Sequence, residues 1–224
     1  MTMDSAVLLS VIVPTVGRPT LARTMRSLLQ QRSRLAWEVI LVGDTHGGTW
    51  ATQLAAVPQT LVGIPAARYV EHDGGQHAWG HPQRNYGATV ARGRYLAWLG
   101  DDDVYLPGAF EAIRMALEAA PEPAVHLFKW IPPWKAPVLW EEAGVLLQDH
   151  IDAEQIVVPN VPDRLGTWNA GRYQGDYDFI RETVDKWGGV ERVVWRPEVI
   201  AQAQPSDDED WTMARAPVVA EAAR

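Results

Sequence analysis

The 224-residue chain contains no cysteine. Disulfides and thiolate chemistry are therefore excluded, and a reducing, cytoplasmic setting is the simplest expectation. It has no basic surplus either: 20 Lys and Arg stand against 28 Asp and Glu, a formal charge of −8. General nucleic-acid binding is not expected of such a chain, because nothing is left over to neutralise phosphates. Long apolar runs are missing as well. The opening segment, MTMDSAVLLSVIVP, lacks the basic region of a signal peptide, and its apolar part is about strand length, so no transmembrane segment is expected. There are no internal repeats, no low-complexity tract and no evident linker.

What is present is the balance of a globular protein: 47% hydrophobic and 21% charged residues, enough for one large domain. The eleven Trp are numerous for this length. Trp fills cores, but its flat face also stacks on ligands and sugars.

Residues 7–14 (VLLSVIVP) read as a buried strand stopped by Pro14. Thr20 reads as a helix cap, with Leu21, Met25, Leu28 and Leu29 on one helical face. Residues 37–42 (WEVILV) form a second buried strand ending in Gly43 and Asp44. This βαβ order predicts a parallel sheet with right-handed crossovers. Some helix is expected at 50–56 and a short strand at 68–71. A polar loop, EHDGGQHAWGHP, follows. Pro82 suits the first turn of a helix running to about residue 92 and closed by Gly93. Residues 95–99 form a third strand, and Pro107 starts a helix with Phe110, Ile113 and Leu117 inward, ended by Pro121.

Further strands are expected in AVHLFKW, APVLW, AGVLL, QIVVP and VERVVW, and a helix at 176–187. The division expected is a nucleotide-binding half at 1–120, a second half of the same domain at 121–204 that receives the acceptor, and a flexible tail at 205–224.

Two strands end alike, VILVGD at 39–44 and LAWLGD at 96–101. Ligands bind outside the carboxyl ends of strands in open parallel sheets, so Asp44 and Asp101 should share a rim, with Pro14 and Thr15 beside them. Asp101, Asp102 and Asp103 in succession suit a hard cation, Mg²⁺ or Mn²⁺, held by one or two carboxylates and by substrate phosphates. The competing reading is that Asp102 and Asp103 are solvated at the start of the helix after Pro107. His72, His77 and His81 lie close in sequence, but their spacing reads as an ordinary loop.

Taken in order, LLSVIVPTVGRPTLARTMRSLLQQ, WEVILVGD and HPQRNYGATVARGRYLAWLGDDDVYLPGAF resemble the family 2 glycosyltransferases over about the first 120 residues. That resemblance implies a GT-A fold: an α/β, Rossmann-like, mostly parallel sheet flanked by helices, with an irregular C-terminal region on the acceptor side. It also implies an inverting transfer from a nucleoside diphosphate sugar, UDP-linked by expectation, to an acceptor hydroxyl. By the same resemblance Thr15 lines the nucleoside pocket, Asp44 meets the base, and Arg84 and Asn85 match the family's Arg-Asn pair.

Asp101–Asp103 match the metal and sugar-nucleotide motif. Asp102 is the main expected ligand and Asp103 the second, although Gly100 stands where the family more often has its first acid. In YQGDYDFIRETVDKWGG, Asp176 matches the family's late acid and is the expected general base, with Asp178 in reserve. Gly175 stands where Glu is usual. Trp168 and Asn169 are expected beside the acceptor. A nucleotidyltransferase, or a module that binds nucleotide sugars without catalysis, are the alternatives. Pyrophosphate release would mark the first, and binding without transfer the second.

Overall fold

The computed structural model describes residues 7–46, 57, 61, 66–75, 78–133 and 143–205. The helix expected at 50–56, the strand in APVLW, His77 and all of the tail after Pro205 lie outside these residues.

The apolar runs form strands buried on both faces. β1 (Leu9–Thr15), β2 (Trp37–Asp44), β3 (Ala67–His72) and β4 (Tyr95–Trp98) run parallel in the order β3-β2-β1-β4. The second half completes the same eight-stranded sheet. β5 (Val104–Tyr105), β6 (His126–Ile131), β7 (Ile156–Pro159) and β8 (Val194–Gln202) continue it as β7-β6-β8-β5. β7 runs antiparallel to β4 and β6, and β5 runs antiparallel to β8; the other six strands share one direction.

Alternate strand residues feed two cores, because successive side chains leave a strand on opposite faces. Val11, Val13, Val39, Leu41 and Ala97 pack with α1 (Leu21–Leu29) and α3 (Ala109–Ala119). Ile12, Ile40, Val42, Leu96 and Trp98 pack with α2 (His81–Val90) and α4 (Gly175–Lys186). Helices thus cover both faces, as a sheet with two apolar faces requires. Trp98 and Trp168 are fully buried there. Trp168 stacks on Phe179 at 4.6 Å, and Trp98 meets Phe179 edge-on at 4.8 Å. Such pairs contribute about 0.5–1.5 kcal/mol each beyond their buried area. They tie β4, α4 and the loop at 165–174 together. No helix among the described residues is long and apolar enough to cross a membrane.

Several local expectations are corrected. Thr20 stands before α1, but its φ of −61° and ψ of −25° are already helical, and its side chain makes no cap bond. Leu29 is 48% exposed rather than on the inner face. α2 ends at Val90 with Ala91 extended, so Gly93 is not a helix terminator. Its role is close approach: the Gly93 N–H donates to Ser10 Oγ at 2.8 Å, and a Cβ there would stand 2.5 Å from the Ser10 nitrogen. α3 is preceded by Gly108 with a φ of 89°, so neither Asp102 nor Asp103 caps it. Residues 145–147 carry no strand, and Val145 and Leu147 are exposed.

Candidate active site

A cavity of about 840 Å³ opens at the carboxyl ends of β1, β2 and β4. It is lined by Pro14, Thr15, Asp44, Arg84, Asp101, Asp102, Asp103 and Asp176; of the residues proposed from the sequence for the site, Asn85, Asn169 and the reserve acid Asp178 lie outside it. Parallel register carries β1 and β2 to the same rim: Thr15 lies beside Gly43, one residue before Asp44.

The three successive acids point three ways from one tight turn. The Asp103 N–H donates to the Gly100 carbonyl at 3.3 Å and closes the turn. Asp101 turns back to β1, accepting from Thr15 Oγ1 at 2.7 Å and from the Val16 N–H at 3.3 Å. Asp102 turns outward and takes Arg18 Nη1 at 2.8 Å. Asp103 turns inward, where it accepts from the Gln204 N–H at 2.9 Å and is hydrogen-bonded to Glu154. A Cβ at 100 would lie 2.1 Å from Asp103 Oδ2, so any larger residue there would have to displace that carboxylate. Repulsion among the acids is therefore relieved by divergence and by Arg18. Burial raises the pKa of Asp101, against the Thr15 bond and the Arg18 charge. Burial likewise raises both Asp103 and Glu154, which face each other.

Asp44 holds the loop after β3: its Oδ1 accepts from the His46 N–H at 2.9 Å and the Gly74 N–H at 3.2 Å. The Arg84 guanidinium lies 5.0 Å over the Trp168 ring, and its Nη1 donates to the Trp79 carbonyl at 2.7 Å. Asn85 faces away from the cavity and clamps Trp168, donating to its carbonyl at 2.9 Å and accepting its N–H at 3.0 Å. The acceptor-side expectation for residues 168 and 169 changes accordingly. Trp168 is buried in the core and also lines the cavity, while Asn169 Oδ1 takes the Gly171 N–H and its carbonyl takes His81.

Asp176 begins α4, where a carboxylate meets free helix N–H groups; the Tyr177 N–H donates to it at 2.7 Å. Burial, then the charge of Asp152, raise its pKa to about 7, against Arg84. Asp178 pairs instead with Arg172 at 3.4 Å and is not among the cavity residues. Of the three histidines of that loop, His72 stacks on Tyr86 at 4.7 Å and His81 is buried, and the cavity lining contains His81 but not His72.

Sequence reasoning missed Arg18, Asp152, Glu154, Trp79 and Tyr173, all of which line the cavity. One signal was available for Asp152. The stretch DAEQ forms a capping box on the 3₁₀ turn Ala153–Gln155, with Asp152 as its cap.

Among the described residues no three His, Asp or Glu side chains converge as a self-sufficient cation cage. The donor set still fits a divalent ion of the Mg²⁺ or Mn²⁺ type. Asp102 offers hard oxygens at the cavity wall, already paired with a cation in Arg18, and such ions take one or two carboxylates with the rest from water and phosphate.

The sequence profile described as glycosyl transferase family 2 matches residues 10–137, more than half of the chain. No curated protein sequence matches it. Among solved structures, S. aureus TarS 1–349 in complex with UDP-GlcNAc superposes with a TM-score of 0.64 at 14% identity, covering 93% of this chain and 62% of that one. The longer S. aureus TarS structure gives 0.64 at 16% identity, over 89% and 37%. The mannosyltransferase PcManGT from Pyrobaculum calidifontis, in complex with GDP-Man and Mn²⁺, gives 0.61 at 15% identity, over 89% and 57%. The chain thus spans less than two thirds of each of these structures. At these identities the likeness is one of fold, the GT-A fold expected above. The profile match runs from β1 through the triple-Asp turn to beyond the end of β6, and on that ground the chain belongs to glycosyl transferase family 2.

Proposed function

We propose that this chain transfers a sugar from a nucleoside diphosphate donor, UDP-linked, to an acceptor hydroxyl, with inversion and with a divalent metal ion. One observation carries the reading: Asp44, Asp102 and Asp176, delivered by three separate elements, line one cavity. The solved neighbours bound to UDP-GlcNAc and to GDP-Man with Mn²⁺ support it.

Asp44 suits the base, because a carboxylate accepts the ring N–H that uracil presents. Thr15 and Arg84 line the same cavity for the nucleoside and its phosphates. Asp102 would hold the metal ion, which when bound would neutralise the diphosphate as it departs, while Asp103, expected as the second ligand, is turned inward onto Glu154 and the Gln204 N–H. Asp176 accepts the proton of the acceptor hydroxyl. That oxygen then attacks the anomeric carbon from the face opposite the leaving group. The bond to the diphosphate oxygen breaks and its electron pair leaves with the diphosphate, so configuration inverts in one displacement. A base so placed contributes about 10²–10⁴-fold, and its raised pKa keeps it a useful proton acceptor near neutrality.

The test has two parts: a thermal-shift panel of UDP, GDP and their sugars with and without Mn²⁺, and mass detection of transferred sugar. Metal-dependent stabilisation by UDP, together with transfer that Asp102→Ala abolishes, is expected. Full activity and metal response in Asp102→Ala would overturn the metal assignment. Pyrophosphate release from a nucleoside triphosphate would point to nucleotidyl transfer, and binding with no transfer to a non-catalytic module.

A further inference from the structure

Trp79 is a large apolar residue left 47% exposed, and its φ is 48°. A bulky side chain in the left-handed region is a genuine backbone outlier and persists only where its surroundings hold it. Here Arg84 holds it, through Nη1 on the Trp79 carbonyl, and Gly80 follows with a φ of 76°. The strain is spent on presenting an indole to the cavity instead of to the core. Tyr173, 71% exposed on the turn before α4, meets that indole edge-on at 6.0 Å. Partial burial, and then the charges of Asp152, Asp176, Asp102 and Glu154, raise its pKa. The aromatic pair therefore bridges the loop after β3 to the start of α4, at the Asp176 end of the cavity.

Charge narrows what can lie there. Seven acids line the cavity (Asp44, the Asp101–Asp103 trio, Asp152, Glu154 and Asp176) against two arginines, Arg18 and Arg84. A metal ion offsets the donor's diphosphate, but the described residues add no lysine and no further arginine to the lining for a second phosphate. A phosphorylated acceptor would meet Asp152 and Asp176 with Arg84 alone near them to offset the repulsion. A pyranose ring suits these groups. Its axial C–H face is apolar with positive hydrogens, complementary to the negative face of an indole, and its hydroxyl edge donates to carboxylates.

We propose that Trp79 and Tyr173 form the acceptor subsite and that the acceptor is an uncharged saccharide held ring-to-indole on Trp79. This rests on the transferase reading given above.

The test uses the full chain with UDP and Mg²⁺, and methyl hexopyranosides with their 6-phosphates as probes, read by saturation-transfer NMR. Neutral glycosides should receive saturation and their 6-phosphates much less. Trp79→Ala should abolish the signal, Trp79→Phe should retain part of it, and Tyr173→Ala should weaken it. In transfer assays from UDP-glucose or UDP-GlcNAc, Trp79→Ala should raise the acceptor KM about tenfold or more while leaving the UDP thermal shift unchanged. Equal or better binding of the 6-phosphates would overturn the inference, as would wild-type saturation in Trp79→Ala. So would a Trp79→Ala defect confined to UDP binding. Glycoside binding through Trp79 in a protein that binds no UDP would instead remove the transferase reading and leave the subsite standing.

Discussion

The imidazole of His81 occupies the space that a side chain at Gly175 would need: a Cβ there would stand 2.3 Å from Cε1 and 2.5 Å from Nδ1. Two segments remote in sequence, the N-terminus of α2 and that of α4, meet through this contact. His81 Nδ1 lies 2.8 Å from the Asn169 carbonyl; a carbonyl only accepts, so Nδ1 carries the proton. Burial and the Arg84 charge lower the pKa to about 4, and the ring is neutral near pH 7. Glycine at 175, where the family usually has Glu, is thus matched by a ring donated from α2. Gly175→Ala should destabilise the fold by about 1–3 kcal/mol through overpacking. His81→Ala in the same chain should recover much of that loss. A double-mutant cycle from urea titrations measures the coupling, and additivity within about 0.3 kcal/mol would refute the contact.

Asp176 predicts a pH dependence of opposite sign for activity and for stability. With its pKa raised to about 7, transfer should climb as pH rises through that value and level off above it. For stability, the folded group holds its proton more tightly than an unfolded Asp near 3.8, so its contribution is full below about pH 4 and is lost as pH rises through about 7. Asp176→Asn should therefore abolish transfer yet stabilise the protein at pH 8, by on the order of 2–4 kcal/mol. Melting curves at pH 4 and pH 8 check it: a gain equal at both values would contradict the assignment.

Asn85 is predicted to matter for folding before chemistry. Its amide satisfies both the N–H and the carbonyl of Trp168. Asn85→Ala should cost about 2 kcal/mol, because two partly buried backbone groups lose their partner. Asn85→Asp should fare no better, since a carboxylate accepts the N–H but repels the carbonyl. Chemical denaturation should show a lower midpoint with an unchanged slope; a midpoint equal to wild type would exclude the clamp.

His126 lies fully buried, and neither ring nitrogen has a hydrogen-bond partner among the described residues. Burial, then the Arg196 charge, lower its pKa to about 4. Its neutral form is the one the fold accepts, so stability should be intact above about pH 6.5 and fall as pH drops through about 4, by about 3 kcal/mol in all. His126→Leu should flatten that acid limb. An unchanged pH dependence between 7 and 4.5 in the variant, followed by near-ultraviolet circular dichroism, would count against it.

The legible parts of this protein are those that short stretches of chain decide for themselves. Residues 9–15, 37–44 and 95–98 are apolar on both alternations, so each must be a strand buried on two faces, and such strands need helices on both sides. Parallel register then carries Thr15, Asp44 and Asp101 to one rim whatever the details of packing. Side-chain direction is another matter. Asp101, Asp102 and Asp103 are identical in sequence, and only the partners brought by the fold separate them: Thr15, Arg18, and Gln204 with Glu154. The contacts with Thr15, Arg18 and Gln204 span 84 to 101 residues, and no local pattern encodes them. The pairings of His81 with Gly175 and of Trp79 with Tyr173 arise the same way, because α2 and α4 meet on one face of the sheet. Local hydrophobic pattern specified the strands and their rim; long-range packing alone specified which carboxylate faces a cation, which faces a proton, and which ring faces the cavity.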